Sequence, residues 1–517
     1  MGLNLNFNEK TSLNILTNII RTLAMALVGI LMVPYYVDSL GIASYAIIPL
    51  ATTMSTYIQL ITECIAYSSI RFSAIAFNKD DINEANKTIS TSFFGLRRLY
   101  LLFLPIGLLL AYLSPYVFSV ANSAFDVQML FVMIIISSMA VTLSIPFNGV
   151  FFASNNLYLL YLAKFAYTVS QVLTIIILFT VGSPSLIIIG IGYIVSSILM
   201  FIALYVMAKR SEKRMVIKKD LYDGALFKKI GSLAIWSTLT NIGDLLYIQL
   251  SLVLVNLYMG TTSQGEFALV VTIVSMMNTA AYTITDSIDA LIFKFYSNSD
   301  REGMAKMLFT GMKMLAVLIT VPVVFLVAFS QEFLGAWVGE EYGHLARLLA
   351  IGLLGNVAFC TVLVAKNVPK AFLKVRVPTF ITICMGILNA AFTIWILNSE
   401  YASTESAMMV WAISTITLSA FNVVYVANLL GIPRYTFLLQ ILFSYVLVAI
   451  TYPVMSALNS ALNLPPSWGP LIIVLLALFA VYFVVAYILL FSKKEKELIE
   501  KMLPARISKH LPKLSIR

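Results

Sequence analysis

Apolar runs of roughly 20 residues follow one another almost from end to end of this 517-residue chain, and about 20 residues is what a helix needs to cross about 30 Å of hydrocarbon. In a bilayer core every backbone N–H and C=O must find its partner inside the chain, so such runs form helices. We therefore expect an all-α, polytopic membrane protein. With 60% of residues hydrophobic and only 11% charged, the chain is too apolar for a soluble globular domain, and little room remains between the runs for one. About fourteen spans can be read, with centres near Leu27, Tyr57, Leu109, Ile136, Leu173, Ser196, Ile248, Met277, Val317, Leu354, Ile387, Ile416, Val446 and Leu478.

Placement of charge sets the expected topology. Lysines and arginines gather after even-numbered spans: Lys79 to Arg98, Lys209 to Lys229, Lys294 to Lys313, Lys366 to Arg376, Arg434, and the tail from Lys493 to Arg517. The other side shows only Arg347, beside Glu332, Glu340 and Glu341. By the positive-inside rule both termini are cytoplasmic, and the net charge of +10 reports topology rather than a nucleic-acid partner. Cys64, Cys360 and Cys384 all fall in apolar segments, which disfavours a disulfide framework or a metal site. The first apolar run is too long for a signal-peptide core and lacks an A-x-A site, so the first helix is expected to stay in the mature protein.

The sequence repeats itself. LTNIIR (Leu16 to Arg21) returns as LTNIGD (Leu239 to Asp244), a spacing of 239 − 16 = 223 residues. ITECIAYSSIRF (Ile61 to Phe72) returns as ITDSIDALIFKF (Ile284 to Phe295), and Ile145-Pro146 as Val368-Pro369, both at the same spacing. One offset over so long a stretch reads as an internal duplication. Six spans is an even number, so both copies enter the membrane in the same direction, as parallel repeats about an axis along the membrane normal. The expected parts are an N-terminal six-helix lobe (1–208), a basic cytoplasmic linker (209–229), a C-terminal six-helix lobe (230–430), two added helices (431–491) and a basic tail (492–517) that suits the anionic inner leaflet.

Charge inside the membrane is costly and usually marks a substrate or ion path. Arg21 lies about eight residues into the first span, roughly 12 Å deep, and Glu63 lies at a similar depth in the second. Two readings stand: the pair neutralises itself, or Arg21 faces a water-filled cavity and meets an anionic substrate whose phosphate oxygens suit a planar guanidinium. Arg71, two turns beyond Glu63, belongs to the same substrate path or marks the cytoplasmic interface. In the second copy Asp244 replaces Arg21, Asp286 replaces Glu63, and Asp289 sits one turn from Asp286. Three carboxylates at similar depth raise one another's pKa and invite a proton or a sodium ion, or one of them pairs with a lysine. Lys164 and Lys366 are read as snorkelling to the inner interface. Pro34, Pro105, Pro146, Pro322 and Pro369 either break helices or mark their ends.

Enzyme classes drop out. His344 and His510 are the only histidines and neither falls in a span, the outward loops are short, and no GxxxxGK[ST] signature occurs. What remains is a secondary transporter without a resident cofactor.

The run PYYVDSLGIASYA from Pro34, the Arg71-Phe72 that closes the second span, LVLVNLYMGTTSQGEFALV and the Pro369-Lys370-Ala371 segment resemble prokaryotic oligosaccharide flippases of the multidrug/oligosaccharidyl-lipid/polysaccharide exporter superfamily. The resemblance implies two six-helix lobes in a V around a cavity that opens alternately to either side, and a lipid-linked oligosaccharide as cargo. It implies that Arg21 contacts substrate phosphates, and that Asp244, with Asn389 and Thr393, takes part in binding a coupling cation. The sequence departs from the family pattern at Gln249-Leu250-Ser251, where many relatives carry an aspartate, and at Phe267, where they carry tyrosine. The expected partners are the lipid-linked oligosaccharide, membrane lipids and a polysaccharide polymerase or glycosyltransferases, at the cytoplasmic membrane. A cation-coupled drug antiporter of the same fold, with a more acidic cavity, and a non-transporting scaffold of a synthesis complex are the competing readings.

Overall fold

The architecture comes from a computed structural model that describes residues 9–120 and 122–496. Most of the basic tail, residues 497–517, lies outside them. The described residues contain helices and no strand. Among the described residues twelve helices are long and apolar enough to cross a membrane, or thirteen if Ile42–Tyr57 and Thr62–Asn78 form one bent span, against the fourteen expected. The seventh and eighth expected centres, Ile248 and Met277, both lie on one helix, Gly224–Ser297, whose 74 residues would run about 111 Å if straight. Gly260 breaks it, with φ 86° and ψ −178°, a region that only glycine enters freely.

Contacts divide the chain into two compact units, residues 1–245 with 252–265, and residues 246–251 with 266–517. The first unit holds α1 (Glu9–Leu40), α2 (Ile42–Asn78), α3 (Ile82–Val117), α4 (Ala124–Ser144), α5 (Asn148–Ala153), α6 (Leu157–Val181), α7 (Leu186–Ser211) and the start of α8 (Gly224–Ser297). The second holds residues 246–251 and 266–297 of α8, the stretch 252–265 returning to the first, then α9 (Arg301–Ala328), α10 (Ser330–Trp337), α11 (Ala346–Val362), α12 (Val368–Ala371), α13 (Arg376–Leu397), α14 (Thr404–Leu430), α15 (Tyr435–Leu462) and α16 (Trp468–Leu490).

The two units repeat one packing scheme. In the first, α7 packs between α4 and α6; in the second, α14 packs between α11 and α13. Helix ends repeat too. Asp81 accepts from the Glu84 N–H at the start of α3, and Asp300 from the Gly303 N–H at the start of α9, each satisfying a first-turn donor. Before each cap stands a non-glycine residue in the left-handed region, Asp80 (φ 57°) and Ser299 (φ 56°). Asn155 (φ 52°) and Leu373 (φ 54°) end α5 and α12 in the same way, with the Asn156 N–H on the Phe151 carbonyl and the Lys374 N–H on the Pro369 carbonyl, the long bond of a Schellman cap. Pro146 and Pro369 sit where α4 and α11 pass through short 3-10 segments into α5 and α12. Pro34, Pro105 and Pro322 instead lie inside unbroken helices.

The basic linker is strapped to the first unit. Asn86 of α3 donates to the Arg214 carbonyl and accepts from the Val216 N–H, and one turn on Ser90 accepts from the Lys218 N–H and Thr91 from the Asp223 N–H. Lys87 Nζ lies 2.7 Å from the Asp223 carboxylate, which holds that carboxyl below the usual range. Arg98 stacks 4.2 Å above the Tyr222 ring. Phe227 lies against Gly95, where a Cβ would come within 2.3 Å of the ring.

Candidate functional site

Helices α1, α2, α4, α6 and α7 of the first unit line an open cavity of about 310 Å³. Its polar wall is a stripe on α2: Thr52, Ser55, Thr56 and Gln59, at the i, i+3, i+4, i+7 spacing of one helix face. Thr52 and Thr56 donate back to the carbonyls of Ile48 and Thr52, and Gln59 donates to Ser55 Oγ. Hydroxyls bonded back to their own helix bend it, and α2 turns by 55° between Tyr57 and Thr62. Ser137 and Ser138 of α4 and Tyr167 and Thr168 of α6 complete the wall. Ser137 donates to the Tyr193 carbonyl, Thr168 to the Lys164 carbonyl, and Ser138 is hydrogen-bonded to Tyr100. With their protons engaged on the Tyr193, Ile135 and Lys164 carbonyls, Ser137, Ser138 and Thr168 offer lone pairs as acceptors.

Two cations enter the same cavity, Arg21 from α1 and Lys164 from α6. The orientation of Arg21 follows from Asn14, two turns earlier on the same face of α1. Asn14 is buried, donates to Asn155 and accepts from the Tyr158 N–H at 2.7 Å, which docks α1 on the turn before α6. The Arg21 guanidinium then donates to Asn18 Oδ1 at 3.1 and 3.3 Å, touches Met25 Sδ at 3.2 Å and lies 5.9 Å from the Tyr161 ring centre. The Arg21–Glu63 pair expected from sequence is not formed. Among the described residues no ion pair within 4.0 Å includes Arg21, Lys164 or Glu63. Lys164 does not reach away to the interface, as snorkelling required, but faces into the cavity beside Arg21.

The remaining sequence candidates fall elsewhere. Arg71 is exposed near the end of α2 and does not line the cavity. Asp244, Asp286 and Asp289 lie on α8, and their side chains are outside the described set. Asn389 of α13 is buried and donates to Ser251 Oγ at 3.1 Å, with buried Thr393 one turn on. The α2 stripe was missed in the sequence, although four polar residues at helical spacing inside an apolar span carry the signal.

Transmembrane helices in two repeated bundles, with an internal cavity lined by cations and hydroxyls, define a polytopic membrane transporter. The chain matches the family described as Polysaccharide biosynthesis protein over residues 13–288, more than half its length, and it belongs to that family. It is 23% identical over 501 residues to the uncharacterized membrane protein EpsK of Bacillus subtilis (strain 168), covering 95% of this chain and 98% of the relative. Its fold is that of the lipid II flippase MurJ in an inward closed conformation, with a TM-score of 0.67 at 13% identity over 91% of this chain and 99% of that one. An inward-facing multidrug resistance MATE transporter of the MOP superfamily gives 0.66 at 12% identity over 80% and 94%. Family and fold are those of membrane transporters, not enzymes.

Proposed function

We propose that this protein is a flippase that moves a polyprenyl-phosphate- or diphosphate-linked oligosaccharide from the inner to the outer leaflet of the cytoplasmic membrane, for surface polysaccharide or cell-envelope synthesis. One observation carries the reading: Arg21 and Lys164 share a cavity between apolar helices and, among the described residues, neither has a carboxylate within ion-pair distance. Cations in that setting are costly unless an anion or water meets them, and a diphosphate supplies both charge and hydrogen-bond acceptors. A drug antiporter wants an acidic cavity, and no carboxylate lines this one. Membership of a polysaccharide biosynthesis family supports a sugar-bearing cargo, and the charge bias of the loops supports cytoplasmic termini. A proton or sodium gradient acting on Asp244, Asp286 and Asp289 is the proposed energy source; Asp286→Asn with unchanged ion dependence would count against it.

The test is reconstitution in liposomes with a fluorescent polyprenyl-diphosphate oligosaccharide, scoring its movement between leaflets for wild type and Arg21→Ala. Transport by wild type and loss in Arg21→Ala are expected. No transport by either, with cation-driven dye uptake instead, would overturn the flippase in favour of the antiporter.

A further inference from the structure

The second unit contains a cavity of its own, about 180 Å³, walled by α8 and α14. Its α8 face is Ser275, Asn278, Thr279 and Tyr282, each 223 residues beyond Thr52, Ser55, Thr56 and Gln59 of the first cavity. The α14 wall repeats as well. Trp411 lies eight residues after the Ser403 cap of α14, and Tyr193, which lines the first cavity, eight after the Ser185 cap of α7. Duplication has therefore given each unit the same recess, and the two have diverged in chemistry. Arg21 and Lys164 line the first, whereas no charged residue lines the second.

We propose that the second recess is a subsite for one uncharged sugar ring of the transported molecule. Its volume is about six times the roughly 30 Å³ share of a liquid water molecule, which suits a ring rather than an ion. Asn278 Oδ1 accepts from Asn356 Nδ2 at 2.8 Å, which turns the Asn278 amide N–H donors away from Asn356. Thr279 gives its proton to the Ser275 carbonyl and keeps its lone pairs as acceptors. A donor beside an acceptor matches a sugar hydroxyl, which both donates and accepts. Trp411 and Tyr282 supply aromatic surface for the apolar face of the ring. A cationic ligand is disfavoured because Lys366 Nζ stands 3.3 Å from Tyr282 Oη and 5.6 Å from the Phe359 ring centre.

This subsite rests on the glycolipid reading above, and the experiment separates the two. The full-length protein in phosphatidylcholine nanodiscs is titrated with undecaprenyl diphosphate, and with the same lipid carrying glucose, galactose, N-acetylglucosamine or N-acetylgalactosamine. At least one sugar-bearing lipid is expected to bind about ten-fold more tightly than the sugar-free one, as a few net hydrogen bonds would give. Asn278→Ala and Ser275→Phe should abolish that advantage and leave sugar-free binding unchanged. Ser275 is exposed to the cavity, so Ser275→Phe fills space without emptying packed structure. No sugar-bearing lipid binding more tightly, or an advantage that survives both variants, overturns the subsite alone. Failure of sugar-free undecaprenyl diphosphate to bind wild type overturns the glycolipid reading and the subsite with it.

Discussion

Arg21 and Lys164, 143 residues apart in sequence (164 − 21), reach one cavity from α1 and α6, held in phase by the hydrogen bonds between Asn14 and Asn155. Losing one charge-assisted hydrogen bond costs about 1.5–3 kcal/mol, so Arg21→Ala and Lys164→Ala are each expected to weaken undecaprenyl diphosphate binding by roughly 10- to 150-fold. Arg21→Lys should lose less, since the charge remains but the planar fork does not. Titration in nanodiscs reads all three. Arg21 was legible in the sequence because any arginine at that depth stands out. Lys164 was not, because snorkelling and cavity lining differ only in the rotation of α6 about its axis, which long-range packing decides. A second residue-scale prediction concerns Leu373, left-handed at φ 54° and 86% exposed. An L residue pays roughly 1–2 kcal/mol for that conformation, and Leu373 buries almost nothing in return. Relief of that strain exceeds the extra freedom glycine gives the unfolded chain, about 0.4–1 kcal/mol, so Leu373→Gly is expected to raise stability by up to about 1 kcal/mol, read as a higher melting temperature in detergent; a lower one would refute it.

At the scale of elements, close helix approach depends on small residues. A Cβ on Gly355 of α11 would stand 2.4 Å from the Ala412 Cβ of α14, so Gly355→Val should force the two helices apart and lower stability by about 1–3 kcal/mol. Thermal unfolding followed by tryptophan fluorescence would show it. The linker strap offers a different readout. Asn86→Ala leaves the Val216 N–H and the Arg214 carbonyl without their partner, and trypsin cleavage at Arg214, Lys218 and Lys219 should quicken several-fold while the helices remain intact. Unchanged digestion would mean that Ser90, Thr91 and the Lys87–Asp223 pair hold the strap without it. The sign of the pH effect follows from the depressed Asp223 carboxyl. Its contribution is present above about 3.9, the ordinary aspartate value, and is lost as pH falls through the lower folded value, so the strap should be indifferent to pH across the neutral range. The sequence showed the linker as a basic polar stretch between apolar runs and nothing more. Its order comes from the spacing of Asn86, Ser90 and Thr91 on α3, side chains that read as ordinary helix residues until the strap lies across them.

For the whole molecule, loop charge predicts a sidedness that labelling can check. On a background lacking Cys64, Cys360 and Cys384, single cysteines at Lys213 and Asn298 should react with an impermeant maleimide from the cytoplasmic side only, and at Ala124 and Leu462 from the outer side only; the reverse pattern would invert the topology. Class and duplication were legible from apolar run length and one constant offset, because both are properties of the chain that folding does not alter. The count of fourteen spans was less secure, since hydropathy separates Ile248 from Met277 while a single glycine, Gly260, marks the break between them. The repeat also records a change in length. Gln59 and the left-handed Asp80 are 21 residues apart (80 − 59), their counterparts Tyr282 and Ser299 only 17 (299 − 282). Four residues advance a helix by about 400°, one full turn and roughly 40° more. Twelve bases could therefore be gained or lost from one copy of the gene with the cavity face and the helix cap still nearly aligned, whereas six would have turned one to the far side of the other. Insertions and deletions in this helix among descendants of the same duplication should accordingly favour lengths near whole turns, about three, four or seven residues.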